Sequence, residues 1–465
     1  MVDSDRAAAA DVSRVEVIER GEDFSVVRRI TPAQNESGLL LLRTNEFTVV
    51  ENALNFFQNG SWFSGEDRLE PRPGGAVSLR GPHKAVFAND LNVEAVFDVL
   101  DSDGSRLQGG PRGILLTDLS TGASLVLAVP KDEAPGELLG PDRLVYRDRF
   151  NGLKADLVYL WRHNVFRQDL VIRERPSLPV GWDPDSTRLE LVTELIDPPE
   201  VGIESRSVAI KANLTLMDDH RITLPRRVFL EGKAFGAVEA EAVTVGAGAL
   251  SDGGVVVAKQ WRRMPNGLTF LIESIGWNDI EPLWQGLPQV ARQDRRAIAR
   301  DPDTAFAGFR LKPNPTPQTD RPMLWASTPY RTQGVVLDFE APPASSPFTF
   351  QTGKTYLVQT NYFVHTSATF EAGCVVKFNL NAYILVYGTA VFPDSMQTPV
   401  FTSHNDDGFG EDIDGVPGSI PTQCASPAIW FYNNPTYAAD LRSARFRWAV
   451  TGVHFYNNQG SGRTH

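Results

Sequence analysis

The chain has 465 residues, and its 45 Lys and Arg against 57 Asp and Glu give a formal net charge of −12. So acidic a chain is a poor candidate for binding nucleic acid or an anionic membrane surface. Hydrophobic residues make up 42% and charged residues 22%, which is a globular rather than a disordered composition, and the length allows about three domains of roughly 150 residues.

The sequence predicts no membrane span, because no apolar run approaches the roughly 18–20 residues that cross a bilayer. The first residues also lack the basic segment and the long apolar segment of a signal peptide.

The first 290 residues alternate apolar and polar side chains between polar turns. Short strands at such spacing are typical of an antiparallel sandwich, and we predict an antiparallel β-sandwich region over residues 1–290, with one or two subdomains. Turns are expected at residues 101–104, 120–122, 163–164 and 218–220. One short helix is predicted at residues 278–285, with Asn278 as its N-cap.

Residues 291–345 change in character. A charged stretch is followed by the Pro-punctuated residues 312–317, which cannot sustain a helix or a central strand. We therefore predict a connection between domains here, with Trp325 and Tyr330 packing against a neighbouring domain.

From Phe348 onward aromatic and β-branched residues concentrate, and similar strand-sized segments recur. They begin near Tyr356, Tyr383 and Ala428, with a longer insertion between residues 403 and 427. Such segments cannot bury an apolar face alone, so they favour a β-solenoid, with a second sandwich as the alternative. We predict the first coils of a parallel β-helix over residues 346–465.

These segments carry a resemblance. Residues 355–358, 368–378, 399–407 and 452–455 resemble the first coils of right-handed parallel β-helices in large secreted bacterial proteins, and residues 74–77, 154–159 and 166–171 resemble the companion domain of such chains. The resemblance implies the N-terminal part of a secreted or cell-surface bacterial protein, with a β-sandwich region followed by a right-handed parallel β-helix. It implies further domains in a longer chain, and it supplies no catalytic residues.

The last coil is predicted to be incomplete. Residues 452–458 begin a coil, and residues 457–462 break off without the polar cap that a solenoid end needs. We therefore expect a β-helix truncated at its C-terminus.

The insertion contains the strongest candidate for a metal site. Carboxylate oxygens suit Ca²⁺, and neighbouring glycines let the backbone fold tightly around an ion. The candidate ligands are Asp406, Asp407, Glu411, Asp412 and Asp414. The spacing does not match an EF-hand, and a solvated acidic loop is the alternative.

Arg445 and Arg447 are candidate ligand-binding residues, because residues two apart share one side of a strand. With Lys377 and Arg442 they would face the acidic insertion. The alternative is a plain outward polar face that alternates with inward Phe446 and Trp448.

Trp62 is the third candidate ligand-binding residue. It lies in the densest aromatic segment, residues 55–63, and a flat aromatic ring can stack on a sugar. For most of the nine Trp, core packing is the default interpretation.

The two cysteines, Cys374 and Cys424, permit at most one disulfide. Cys374 is expected to be a buried apolar residue, and pairing is left open.

The sequence contains no His-x-x-x-His pair and no nucleophile elbow, so we assign no catalytic residue. The leading function is a non-catalytic extracellular scaffold or adhesion module that binds glycans or other surfaces. The alternative is a β-helix polysaccharide lyase or glycoside hydrolase with a Ca²⁺-assisted acidic site.

Overall fold

The computed structural model describes residues 13–34, 37, 39–101, 104–224, 229–230, 233–235, 255–290, 322–328, 330, 334–341, 347–432 and 443–456. These residues are mostly β-strand, so the predicted all-β class is confirmed. They form two compact units. Unit 1 takes the described residues of Met1–Gly65 and Pro343–His465, and unit 2 those of Glu66–Pro342.

The N-terminal part of unit 1 is antiparallel. Its strands are β1 (Arg14–Gly21), β2 (Phe24–Gln34), β3 (Leu40–Val50), β4 (Asn55–Gln58) and β5 (Ser61–Ser64). Strands β1–β3 form a meander, and β4 and β5 form a hairpin whose turn residues Asn59 and Gly60 have positive φ angles.

Unit 2 contains the described residues between the two parts of unit 1. Its elements are β6 (Glu70–Arg72), β7 (Gly75–Ser78), β8 (Lys84–Ala88), β9 (Phe97–Leu100), β10 (Arg106–Asp118), β11 (Ala123–Pro130), β12 (Glu137–Leu138), β13 (Arg143–Tyr146), β14 (Phe150–Asn151), β15 (Ala155–Arg162), β16 (Val165–Ile172), β17 (Thr187–Ile196), β18 (Gly202–Lys211), β19 (Leu214–Thr223), β20 (Phe229–Leu230), β21 (Lys233–Phe235), β22 (Val255–Val256), β23 (Ala258–Arg263), β24 (Thr269–Gly276), helix α1 (Trp277–Trp284), β25 (Leu324–Trp325) and β26 (Val335–Ala341).

The C-terminal part of unit 1 is made of short strands. They are β27 (Phe348–Phe350), β28 (Thr355–Val358), β29 (Tyr362–Val364), β30 (Ser367–Phe370), β31 (Val375–Phe378), β32 (Ile384–Val386), β33 (Thr389–Val391), β34 (Val400–Ser403), β35 (Ile429–Tyr432), β36 (Arg445–Phe446) and β37 (Val453–Tyr456).

Two large sheets organise unit 2. One runs β23-β24-β17-β10-β9-β8-β7-β6, with β11 and β14 attached, and the other runs β22-β21-β26-β16-β15-β13-β12-β25. One apolar core takes side chains from both sheets. The rings of Phe87 on β8 and Tyr159 on β15 lie 5.4 Å apart there.

Three parallel ladders organise the C-terminal part of unit 1. They are β28-β31-β34-β36, β29-β32-β35-β37 and β27-β30-β33. The chain visits the ladders in rotation, and β28, β31 and β34 begin at residues 355, 375 and 400. The rings of Phe350 and Phe370 stack at 4.6 Å and those of Phe370 and Phe392 at 5.0 Å, close to the spacing of neighbouring strands. Among the described residues, no sheet closes on itself.

The N-terminal meander joins the first ladder. β3 pairs in parallel with β28 through Thr48, Val49 and Val50, so it occupies the position of a preceding ladder strand. Beside it, buried Asn52 donates from Nδ2 to the Phe363 carbonyl at 2.9 Å and accepts from the Phe363 amide at 2.6 Å. Its side chain thus replaces a peptide group at the edge of β29.

This arrangement differs from the predicted division at residues 290 and 345. Residues 14–64, assigned from sequence to the sandwich region, belong with the C-terminal strands. Within the predicted connection, β25 pairs with β12 and β26 pairs with β16, because the apolar residues of β26 match those of β16. Trp325 is exposed, and the Tyr330 hydroxyl donates to Asp156 within unit 2.

Two local expectations are also corrected. Residues 218–220 lie inside β19 rather than in a turn, and the Asp218 and Asp219 carboxylates accept hydrogen bonds from the Lys259 and Trp261 amides of β23. The predicted helix is present, but Gly276 occupies its N-cap position and Asn278 donates to Asp185 instead.

Candidate functional site

The acidic loop, residues 404–420, lies between β34 and β35 and folds back over the outer face of the first ladder. Ile413 packs there in a small cluster with Val27, Phe47 and Leu357. At Gly410, where φ is +64°, a Cβ atom would lie 2.4 Å from the Thr355 hydroxyl. Glycine therefore lets the loop approach β28 this closely.

Lys377, on β31 of the first ladder, binds the backbone of the acidic loop. Leu357, Lys377 and Thr402 are paired across three successive ladder strands, so their side chains share one face. Lys377 is nevertheless 0% exposed, and its Nζ donates to the carbonyls of Asp406 at 2.9 Å and Glu411 at 2.6 Å. Burial lowers the pKa of Lys377, although the surrounding aspartates favour its charged form.

Three of the five predicted metal ligands converge. One carboxylate oxygen from each of Asp407, Asp412 and Asp414 lies within 4.8 Å of the others. Asp407 Oδ2 accepts from the Gly418 amide at 2.7 Å, while its buried Oδ1 has no hydrogen-bond partner in the described part of the chain. The donor set suits a hard cation such as Ca²⁺, which takes about six to eight oxygen ligands.

Asp406 and Glu411 are not members of this cluster. Asp406 is buried, and its carboxylate accepts from the Thr402 hydroxyl at 2.6 Å and from the Gly408 amide at 3.1 Å. Glu411 contributes backbone contacts, because its amide donates to the Thr355 hydroxyl at 3.0 Å. Both residues therefore shape the loop.

The carboxyls of Asp412 and Asp414 interact directly through a side-chain hydrogen bond. Burial, with the neighbouring carboxylates, raises the pKa of Asp412. Burial also acts to raise the pKa of Asp414, but hydrogen bonds from the Val416 amide, the Ser419 hydroxyl and Asp412 outweigh it, so that pKa is lowered. The pair holds one proton more readily than two separate carboxylates would, and a bound cation would compete with that proton.

Arg445 lies on β36 and Arg447 directly follows that strand. Both side chains face the acidic loop. Their guanidinium carbons lie 4.9 and 4.7 Å from the centre of the Phe409 ring. Arg447 also lies 3.6 Å from a carboxylate oxygen of Asp406. Phe446 stacks inward on Phe401, as alternation predicts, whereas Trp448 is 41% exposed rather than inward. Arg442 lies outside the described residues.

Trp62 lies in the β4–β5 hairpin. It meets the ring of Phe57 edge-on at 5.3 Å, and Phe56 and Phe63 form a second pair. Phe57 is 61% and Phe63 47% exposed, so the hairpin presents aromatic surface. Core packing, the default interpretation for most tryptophans, holds for Trp161, Trp277, Trp284 and Trp430, which are buried.

Two basic residues of the meander also contact the loop, and sequence reasoning did not find them. Arg29 on β2 donates to the Ile413 carbonyl, and Arg43 on β3 lies 3.5 Å from a carboxylate oxygen of Asp412. More than 360 residues separate these partners, and no local pattern signals such a contact.

Both cysteines are buried and free, so the disulfide left open by the sequence is not formed. Burial raises the pKa of Cys374 to about 12. Cys374 therefore fills the core as a small apolar residue, as expected.

Comparison with known proteins gives no match: no protein-family profile, no curated protein and no solved structure matches this chain. Within the described ranges, no helix is long and apolar enough to cross a membrane. The residues predicted at the C-terminal break, 457–462, lie outside the described part of the chain.

Proposed function

We propose that this chain is a non-catalytic extracellular scaffold or adhesion module of a large bacterial surface protein. In this proposal unit 2 is an antiparallel β-sandwich, and the three ladders of unit 1 are coils of a right-handed parallel β-helix. The supporting observation is the rotation of the chain through three parallel ladders, since a stack of such coils presents a long and rigid lateral surface.

The proposed partner is a polysaccharide or cell-surface glycan. Exposed aromatic rings on the β4–β5 hairpin offer a stacking surface for sugars. Arg445 is exposed and Arg447 partly so, and guanidinium groups suit the carboxylates of acidic sugars. These features support binding without requiring a catalytic group.

A panel of immobilised neutral and acidic glycans tests this proposal with the full chain. We expect binding to at least one glycan, weakened roughly tenfold or more by Trp62→Ala for a neutral sugar or by Arg445→Ala/Arg447→Ala for an acidic one. Trp325→Ala, which removes an exposed tryptophan of unit 2, is the matched control. Equal loss in the control, or no binding by the wild type, would reject the glycan partner.

The second candidate is a polysaccharide lyase or glycoside hydrolase assisted by Ca²⁺. It is favoured by the convergence of Asp407, Asp412 and Asp414 in the loop whose Asp406 carboxylate lies 3.6 Å from Arg447. The burial of Lys377 beneath the loop argues against it, because that amine cannot reach a polymer to remove a proton.

Calorimetric titration of Ca²⁺ into chelator-treated protein tests the second candidate. The variant Asp407→Asn/Asp412→Asn/Asp414→Asn should lose any binding heat, and Asp394→Asn, an exposed acidic residue outside the loop, should keep it. If the protein cleaves acidic polysaccharides, and if this cleavage requires Ca²⁺ and these residues, the enzyme proposal replaces the scaffold proposal. Ca²⁺ binding without cleavage would make the ion a structural ligand of the scaffold.

A further inference from the structure

Glu273 is a carboxyl group in the core of unit 2. It lies on β24 between Leu271 and Ile275, both of which belong to the core shared by the two large sheets. Glu273 itself is 2% exposed. A carboxylate in such surroundings loses its hydration, and this loss disfavours the charged form.

In the part of the chain that the structure describes, no hydrogen bond to this carboxyl compensates for its burial. Its Oε1 is buried and has no partner among the described residues. Lys259 lies directly opposite on β23 and is also buried. The Lys259 ammonium donates to the Val257 carbonyl at 3.3 Å, so it is engaged elsewhere.

Among the described residues of the other elements packed against Glu273, no second charge lies beside it. From β17 the facing residue is Leu191, and α1 contributes Trp277, Ile280 and Trp284 to the core. Beyond β23, Asp218 accepts from the Lys259 amide and pairs with Arg206. Lys259 is thus the facing charge that acts on this carboxyl.

We propose that Glu273 is a proton-binding group of the folded core, protonated at neutral pH, and that its ionisation destabilises the β23–β24 edge of unit 2. The proposal is independent of the scaffold function. Burial raises the pKa of Glu273 to about 8, against an ordinary value of 4.5, although Lys259 acts to lower it.

The sign of the pH dependence follows from proton linkage. Between pH 4.5 and about pH 8 the folded state holds a proton that the unfolded state has released. This contribution to stability is complete below pH 4.5 and is lost as the pH rises through 8. The ratio of folded to unfolded protein should fall by up to about tenfold per pH unit in that window and then level off.

Infrared spectroscopy of the full chain over pH 5–10 measures the proton directly. The component of the protonated-carboxyl C=O band that disappears near pH 8 in the wild type should be missing from Glu273→Gln, which keeps the shape and cannot ionise. Glu281→Gln, which changes an exposed residue of α1, should keep the band. Lys259→Met should move the loss to higher pH, because the facing charge is removed.

Urea unfolding over the same pH range gives the second readout. The stability of Glu273→Gln relative to the wild type should rise from pH 5 to pH 8. The proposal is overturned if the C=O band titrates below pH 6, if it persists unchanged in Glu273→Gln, or if the two stabilities stay parallel across the range.

Discussion

At the scale of single residues, Arg112 is a buried charge that specific partners hold. Arg112 on β10 is 5% exposed, and its Nε donates to Glu194 at 2.6 Å. The same guanidinium donates to the carbonyls of Val93 and Glu94. Removing one member of such a set leaves the other buried without compensation.

Arg112→Met should therefore reduce the free energy of unfolding by about 3–5 kcal/mol. Arg106→Met is the matched control, because Arg106 lies on the same strand and pairs with Asp98 while its side chain is 55% exposed. The control should change stability by about 0–1 kcal/mol. Urea denaturation measures both, and equal effects would contradict the role assigned to burial.

Lys377 makes a comparable case in the acidic loop. Lys377→Met should cost about 3 kcal/mol, because the carbonyls of Asp406 and Glu411 lose their donor in a buried place. The loop should also become sensitive to limited proteolysis. Lys354→Met, at an exposed position before β28, should change neither the stability nor the proteolysis of the loop. If the loop is equally resistant to proteolysis in both variants, Lys377 does not hold it.

At the scale of elements, the first ladder strands depend on the meander β1–β3. Periodicity predicted many of the strands, and the hairpins at residues 120–122 and 163–164 are confirmed. Which strand lies beside β28 was not predictable, because a parallel neighbour leaves no turn signal in the sequence.

Asn52→Ala should destabilise unit 1 by about 2 kcal/mol, since two buried hydrogen bonds to Phe363 are lost. Hydrogen exchange should show faster opening of β29 in this variant. The control is Asn379→Ala, whose amide donates to the Gln359 carbonyl at the surface and whose loss should cost less than about 0.5 kcal/mol. Unchanged exchange at Phe363 in Asn52→Ala would refute the capping role.

At the scale of the whole molecule, unit 1 is built from two distant parts of the chain. Residues 346–465, the predicted β-helix domain, lack β3 and Asn52. Expressed alone, they should expose the edges of β28 and β29 and aggregate, because unpaired strand edges recruit other chains.

Co-expression with residues 13–65 should restore soluble protein. The variant Asn52→Ala within that segment should restore less of it. Light scattering of the purified fragments measures the outcome. A monomeric and cooperatively folded fragment 346–465 would show that the meander is dispensable.

The sequence by itself determined the all-β class, many of the strands, the recurrence after residue 348 and the acidic loop, because these depend on local side-chain periodicity and composition. The tertiary structure alone decided that residues 14–64 complete unit 1 and that residues 335–341 enter a sheet of unit 2. It also decided that Asp407, Asp412 and Asp414 meet while Asp406 and Glu411 shape the loop. Such contacts depend on burial and on pairing between segments far apart in the chain, and local patterns carry no information about either.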